Sequence, residues 1–247
     1  MTEATPYRHE PLQKTMPMLL SFVAGYVDSY TYLALFGLFA AQVTGSFVIA
    51  GAELVHHDTG VTGKLLAIVA FIAAAAITCA LIGIVRDSGR APMPWMLALE
   101  ATLLAVFVAI IVLNPKINGP TDWNGIVAGL FAASAMGAQS VLVRILMKGI
   151  PQTNVMTGNM TQLGIAITEL VIARRRFAQS AHDAAAVHNY HAVRDQLLVV
   201  LSVASGFLIG AAAGATAFLA VGVSGALVAV AVVVALAVWT LVRDQSS

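Results

Sequence analysis

The stretch QVTGS at residues 42–46 decides the fold of this chain, because NVMTGN at residues 154–159 is a second version of it about half a chain later. Each copy interrupts apolar sequence with polar residues and a glycine. Loops exposed to water need no such counterpart, so we interpret the pair as one structural device used twice. The motif alone is compatible with transport and with a purely architectural role.

The composition indicates an integral membrane protein. Of the 247 residues, 59% are hydrophobic and 10% are charged, and the mean hydropathy is +0.87. A soluble domain carries about 25% charged residues. The net charge is +1 without a basic stripe among exposed aromatics, so nucleic-acid binding is not expected. The single cysteine, Cys79, excludes an internal disulfide and disfavours a metal thiolate cluster.

The apolar sequence divides into eight segments. The second and the sixth are the shortest, and each begins just after a Thr-Gly pair. The break between the first two, residues 37–45, carries no charge, which predicts a turn within protein at membrane depth. The segments are 15–37, 46–55, 63–85, 94–113, 124–147, 159–173, 195–220 and 222–242.

Two topologies compete: eight crossings, or six crossings with the second and sixth segments re-entering the membrane. With eight spans and a cytoplasmic start, the Lys and Arg residues divide nine inside to four outside. With six spans only Lys64 and Lys116 lie outside, which leaves eleven inside. Because positive charge accumulates on the cytoplasmic side, we favour six spans with both termini cytoplasmic.

An internal repeat agrees with six spans. The motif GYVD at residues 25–28 precedes Thr44 as GAQS at residues 137–140 precedes Thr157, and IAGAELV at residues 49–55 matches IAITELV at residues 165–171 in five of seven positions. Three spans and one re-entrant segment per half are an odd number of crossings, so the second half inverts. We therefore predict one all-α membrane domain over residues 1–247, a polytopic transmembrane bundle of two inverted repeats, about 15–113 and 124–242.

These motifs, over residues 21–55 and 126–171, make the chain similar to the YoaK-like family, a group of small bacterial inner-membrane proteins catalogued as a domain of unknown function. The resemblance implies a multi-pass protein of the bacterial inner (plasma) membrane and no assigned activity. The chain has Ser46 and Ser140 where family members often have Asn. The residues that carry the resemblance are Gly25, Tyr26, Val27, Asp28, Tyr30, Tyr32, Thr44, Gly45, Gly137, Gln139, Val143, Arg144, Thr157 and Gly158.

Asp28 is the sharpest single feature, since it lies near the middle of the first span, where a carboxylate costs about 2.5–3.5 kcal/mol. It is a candidate for proton coupling. Alternatively, it is a structural carboxylate that accepts hydrogen bonds from Tyr26, Tyr30, Thr31 or backbone N–H groups freed at a helix break.

The two Thr-Gly turns are predicted to direct the N-terminal ends of half-helices toward the bilayer centre, where free N–H groups attract an anion. Thr44 and Thr157 are expected to contact a solute or ion, with ordinary helix capping as the alternative. In the second half, Gln139, Ser140 and Arg144 are the counterpart of Asp28, and Arg144 either pairs with a carboxylate or anchors the span at the interface.

Other polar residues receive structural interpretations. Glu53 and Glu169 are expected to be solvated, and Glu100 to be interfacial or paired. Gly206, Gly210 and Gly214 predict a close helix contact. Residues 174–195 predict a surface helix, in which His188 and His191 lack a convincing third metal ligand.

The sequence predicts a small secondary transporter of a small organic solute, with an anionic solute and proton coupling through Asp28 as further expectations. A non-transporting scaffold or sensor and a channel are the alternatives. We expect no enzyme, cofactor, catalytic residue or metal site. The expected partners are the lipid bilayer and a small-molecule solute, without nucleic acid, and a homodimer stays open. The candidate substrate-binding residues are Asp28, Tyr26, Tyr30, Gln42, Thr44, Gly45, Ser46, Gln139, Ser140, Arg144, Asn154, Thr157, Gly158 and Asn159.

Overall fold

The computed structural model describes residues 11–56, 59–179 and 184–244, and over these ranges the chain is all-helical. A short 3-10 helix, Gly222–Ala226, separates the last two of eight α-helices. The α-helices are α1 Pro11–Ala34, α2 Val43–His56, α3 Val61–Asp87, α4 Pro92–Leu113, α5 Trp123–Leu146, α6 Met156–Gln179, α7 Ala184–Val221 and α8 Leu227–Asp244.

Each predicted apolar segment coincides with one α-helix, but the predicted surface helix over residues 174–195 is not a separate element. Its first part continues α6 to Gln179, its last part is the start of α7, and residues 180–183 lie outside the described ranges. The ring of Phe177 stacks on that of Tyr190 at a centroid distance of 5.4 Å. The basic stretch is therefore part of a helical hairpin.

Four helical segments are long and apolar enough to cross a membrane, judged by length and composition of the described residues. They are α3, α4, α5 and the continuous segment Ala184–Asp244, while α2 is a shorter apolar helix. This is the architecture of a multi-pass helical membrane protein.

The ends of α1 and α5 are built alike. Three residues beyond each helix stands a glycine with a φ angle of 82°, Gly37 after α1 and Gly149 after α5. This left-handed conformation favours glycine and stops a helix. The same local signal therefore ends both helices that precede a break.

The helices pack in parallel pairs with close backbone contacts. A methyl group at Gly206, Gly210 or Gly214 of α7 would meet the backbone carbonyl of Met18, Phe22 or Tyr26 of α1, respectively. The residue numbers of the contacting pairs increase in the same direction along both helices, so α1 and α7 are parallel. On α5, Gly137 lies against the Phe71 carbonyl of α3 in the same manner.

In contrast, α1 and α5 are antiparallel. Gly125, at the start of α5, lies beside Leu35 at the end of α1. Gln139, near the end of α5, donates to the carbonyl of Leu20 in the first half of α1. This opposite direction determines which polar groups of the two halves meet.

Candidate functional site

The first break, residues 35–42, folds back along α1. Phe36 and Gly37 both have positive φ angles, 54° and 82°, and reverse the chain. The backbone N–H of Ala41 then donates to Asp28 Oδ1 at 2.6 Å, and the N–H of Gln42 donates to Oδ2 at 3.0 Å. Asp28 lies six residues, or about 9 Å, before Ala34, the last residue of α1. The start of α2 therefore lies beside the interior of α1, not beyond its end.

These contacts explain how a carboxylate is accommodated inside α1. Asp28 is 3% exposed, and both of its oxygens accept hydrogen bonds from the break. Its negative charge also lies beside the start of α2, where unpaired N–H groups carry partial positive charge. The geometry matches the structural alternative for Asp28, with backbone N–H groups at a helix break as donors.

Ser46 closes the first break upon itself. Its hydroxyl donates to the carbonyl of Phe39 at 2.9 Å and accepts from the Phe39 N–H at 3.1 Å. Ser46 is completely buried. The residue after Thr-Gly therefore ties α2 to the residue seven positions earlier.

The second break, residues 147–155, is held by a neutral set of side chains. Gln139 Nε2 donates to Thr153 Oγ1 and to the carbonyl of Leu20, both at 2.8 Å. The Ser21 hydroxyl lies 3.0 Å from the Thr153 carbonyl oxygen and 2.7 Å from that of Val203. α1 and α5 thus jointly hold Thr153, and Ser21 also links this cluster to α7.

Asn159 repeats the role of Ser46. Its Nδ2 donates to the carbonyl of Gln152 at 2.7 Å, again seven positions earlier and again from the residue after Thr-Gly. Ser140 Oγ is 3.4 Å from Gln152 Oε1, which is a weaker contact. Both copies of the motif therefore use the same backbone tie, with a serine in one and an asparagine in the other.

An ion pair between α2 and α3 holds the start of the first break. Lys64 of α3, 2% exposed, donates to Glu53 of α2 at 2.7 Å and to the carbonyl of Phe36 at 3.1 Å. The prediction that Glu53 is solvated is wrong, because this lysine pairs with it inside the protein. Glu169, the counterpart of Glu53 in the repeat, is exposed. Gln196 is exposed too, and it corresponds to Lys64 because QLL at residues 196–198 matches KLL at residues 64–66.

The remaining predicted site residues lie elsewhere. Thr44, Thr157 and Gly158 are exposed at the protein surface, and Gly45 is half-buried against Phe39. Arg144 is exposed in the last turn of α5, in agreement with the anchor interpretation.

Tyr26 and Tyr30 hold the turn between α7 and α8. The Tyr26 hydroxyl donates to the Gly225 carbonyl at 2.6 Å, and the Tyr30 hydroxyl donates to the Gly222 carbonyl at 2.8 Å. Their rings stack at a centroid distance of 6.3 Å. Both tyrosine hydroxyls are therefore already engaged with the protein backbone.

The structure forms two polar clusters and does not join them. The first cluster contains Asp28, Gln42 and Ser46. Ser21, Gln139, Ser140, Thr153 and Asn159 make hydrogen bonds at the second break, and the buried Asn154 directly follows Thr153. Between Ser21 and Asp28, α1 contributes Val23, Ala24 and Val27, all buried in the apolar core. In this conformation apolar packing separates the clusters.

Glu100 is also corrected by the structure. It is completely buried in α4, and neither carboxylate oxygen accepts a hydrogen bond from a described residue, so it is neither interfacial nor paired there. Within the described ranges, no group of three or more His, Cys, Asp and Glu side chains could hold a metal ion.

Sequence reasoning missed Ser21, Thr153 and Lys64. Ser21 lies seven residues before Asp28, two helical turns along α1, and this spacing was an available signal. Thr153 directly precedes the predicted Asn154. Nothing local marked Lys64, because its partner Glu53 is on another helix and their contact depends on how α2 packs against α3.

Comparison with known proteins identifies a family without an assigned activity. A family model described as "Protein of unknown function (DUF1275)" matches residues 16–240. No curated protein and no solved structure matches the chain significantly. The matched range includes both breaks and every helix at least in part. The chain therefore belongs to the DUF1275 family of proteins of unknown function, in agreement with its resemblance to the YoaK-like family.

Proposed function

We propose that the chain is a small secondary transporter of a small, anionic organic solute. The observation that supports this most is the pair of helix breaks, each folded back along the preceding helix and tied to a buried polar side chain of that helix, Asp28 or Gln139. Broken helices with backbone groups deep in a membrane protein are typical of transporter sites, because irregular backbone is tolerated only inside protein or beside water.

The six-span topology with inverted repeats is part of this proposal. Six spans require α1 and α5 to cross in opposite directions, whereas eight spans require the same direction. The antiparallel contacts of Gly125 with Leu35 and of Gln139 with Leu20 support six spans. So does the contact of Lys64 with Phe36, which returns the start of α3 to the end of α1.

The helix pairs also support two equivalent halves. If α1–α4 correspond to α5–α8, the α1–α7 pair corresponds to α5–α3, and α2–α3 corresponds to α6–α7. All four pairs are in contact, and α4 contacts both α5 and α8. The close-contact glycines follow the same rule, since Gly25 meets α7 and its counterpart Gly137 meets α3.

Proton coupling through Asp28 follows from what holds the first break. A protonated Asp28 loses its charge and most of its attraction for the N–H groups of Ala41 and Gln42. A carboxylate of the solute can then accept from these N–H groups in its place. One proton and one anion would move together as the halves rock against each other.

Cysteine accessibility tests the topology. On a Cys79→Ala background, Thr59→Cys and Gln179→Cys, both at exposed positions, are treated with a membrane-impermeant thiol reagent in oriented vesicles. Cys79 is replaced because it is exposed. Six spans predict labelling from opposite sides. Labelling of both from the cytoplasmic side would support eight spans and contradict the inverted repeat.

Flux measurements test transport. Proteoliposomes containing a pH-sensitive dye are exposed to a panel of small organic anions, and we expect anion-dependent proton entry with the wild type and with Glu169→Gln, but not with folded Asp28→Asn. A scaffold or sensor is the second candidate, since both Asp28 oxygens are already bound to backbone. Folded wild type without flux under any gradient would support it, and turnover too fast for alternating access would indicate a channel.

A further inference from the structure

Two buried amide oxygens at the second break have no donor. Gln139 is 1% exposed and Asn154 is 4% exposed. Neither Gln139 Oε1 nor Asn154 Oδ1 accepts a hydrogen bond from any described residue. Gln139 bonds to Thr153, the residue before Asn154, so both oxygens belong to the same break. A buried polar atom without a partner costs about 1–3 kcal/mol, so two at one break call for a ligand.

The orientation of the Gln139 amide is fixed by its neighbours. Its Nε2 donates to the carbonyl of Leu20, and a carbonyl can only accept. Rotating the amide would place two oxygens against each other at that contact. The unpartnered atom of Gln139 is therefore an acceptor, and its ligand must carry positive charge or a donor.

We propose that Gln139 Oε1 and Asn154 Oδ1 are ligands of a small monovalent cation. The neighbouring side chains, Ser21 and Thr153, also carry uncharged oxygen atoms. Hard cations take such oxygens, but divalent ions in proteins rely on carboxylates, which none of these residues supplies. The first break is unsuitable, because it directs backbone N–H groups at Asp28.

This inference deepens the proposed function by naming a co-transported ion. The role of the cation in co-transport rests on the proposed function, whereas the cation site itself does not. Binding itself does not require flux. A cation here would also neutralise part of the charge that an anionic solute brings between the breaks. Failure of binding and failure of transport can therefore be measured separately.

The test compares Asn154→Ala with the wild type in detergent, in chloride salts of lithium, sodium, potassium and N-methylglucamine at constant ionic strength. We expect at least one small cation to raise the wild-type unfolding midpoint by about 3–6 °C at about ten times its Kd. Asn154→Ala should lose this rise without a lower midpoint in N-methylglucamine, since it removes an unpartnered oxygen. The matched control Gln42→Ala, at the first break, should keep it.

Equal cation effects in the wild type and Asn154→Ala would overturn the proposal and assign the two oxygens to a buried water. Should Asn154→Ala fail to fold, equilibrium dialysis of wild type against radioactive sodium and rubidium decides. Saturable binding near one ion per chain supports the site, and its absence with both ions overturns it. A cation-binding protein without any solute flux would retain the site and reject the transporter.

Discussion

The two helix breaks share a backbone plan and differ in chemistry. Both fold back after a glycine with positive φ, and both are tied by the residue after Thr-Gly to a residue seven positions earlier. The first is held by charges, Asp28 and the Lys64–Glu53 pair, whereas the second is held by neutral groups. The same backbone plan is therefore held by two different kinds of contact.

This difference predicts that the first break is more rigid than the second. Asp28 holds the end of the first break through the Ala41 N–H. The buried Lys64 holds its start, since it binds both the Phe36 carbonyl and Glu53. In the second half, the residues that correspond to Glu53 and Lys64 are Glu169 and Gln196, and both are exposed. We infer that the second half moves more readily, and matched variants of the two breaks test this.

Removing Glu53 should have the largest effect. Glu53→Leu leaves the buried Lys64 ammonium with only the Phe36 carbonyl, and an uncompensated buried charge costs about 3–5 kcal/mol. The free energy of unfolding in mixed micelles measures this loss. The control Glu169→Leu, at an exposed position, should change it by less than about 0.5 kcal/mol.

The double variant Glu53→Leu with Lys64→Met sharpens this result. Removing both charges leaves no ion unpaired, so most of the lost stability should return. If the double variant is as unstable as Glu53→Leu alone, the loss comes from packing and the ion pair does not distinguish the halves.

Asp28→Asn is expected to follow. Asparagine keeps one acceptor oxygen but loses the charge, so the bonds from Ala41 and Gln42 weaken by about 1.5–3 kcal/mol in total. Gln139→Met, its neutral counterpart at the second break, should cost about 1–2 kcal/mol. Unfolding in mixed micelles compares them, and an equal loss would contradict a charge-based first break.

Much of the fold could be predicted because its signals are local. Apolar runs located all eight α-helices of the described residues, and the spacing of Gly206, Gly210 and Gly214 predicted their close contact with another helix. The buried position of Asp28 and its backbone donors also follow from a carboxylate inside an apolar span that is followed by a break.

The site was less predictable because it depends on contacts between distant segments. Thr44 and Thr157 belong to the most conspicuous motif, yet they are exposed, and their neighbours Ser46 and Asn159 make the ties. One helical position changes the direction of a side chain by about 100°. Without the packing of α2 and α6, sequence spacing could not select the inward-facing residue.

Closely packed glycines test whether the helix pairs of the two halves are equivalent. A methyl group at Gly210 would meet the Phe22 backbone, and one at Gly137 would meet the Phe71 backbone. Gly210→Ala and Gly137→Ala should each cost about 1–3 kcal/mol, because backbone must move. Gly83→Ala has open space and should not destabilise the protein in the same unfolding measurement. A loss at only one of the two packed positions would mean that the helix pairs are not equivalent.

The smallest difference is expected between Ser46→Ala and Asn159→Ala. Ser46 both donates to and accepts from Phe39, whereas Asn159 donates once to the Gln152 carbonyl. At about 1 kcal/mol per hydrogen bond, Ser46→Ala should lose about 2 and Asn159→Ala about 1 kcal/mol. Hydrogen exchange of the two breaks, read by mass spectrometry, locates each loss. Faster exchange confined to residues 35–42 in Ser46→Ala and to residues 147–155 in Asn159→Ala is expected. Exchange that spreads to both breaks from either variant would show that the halves open together, and the proposed difference in rigidity would then fail.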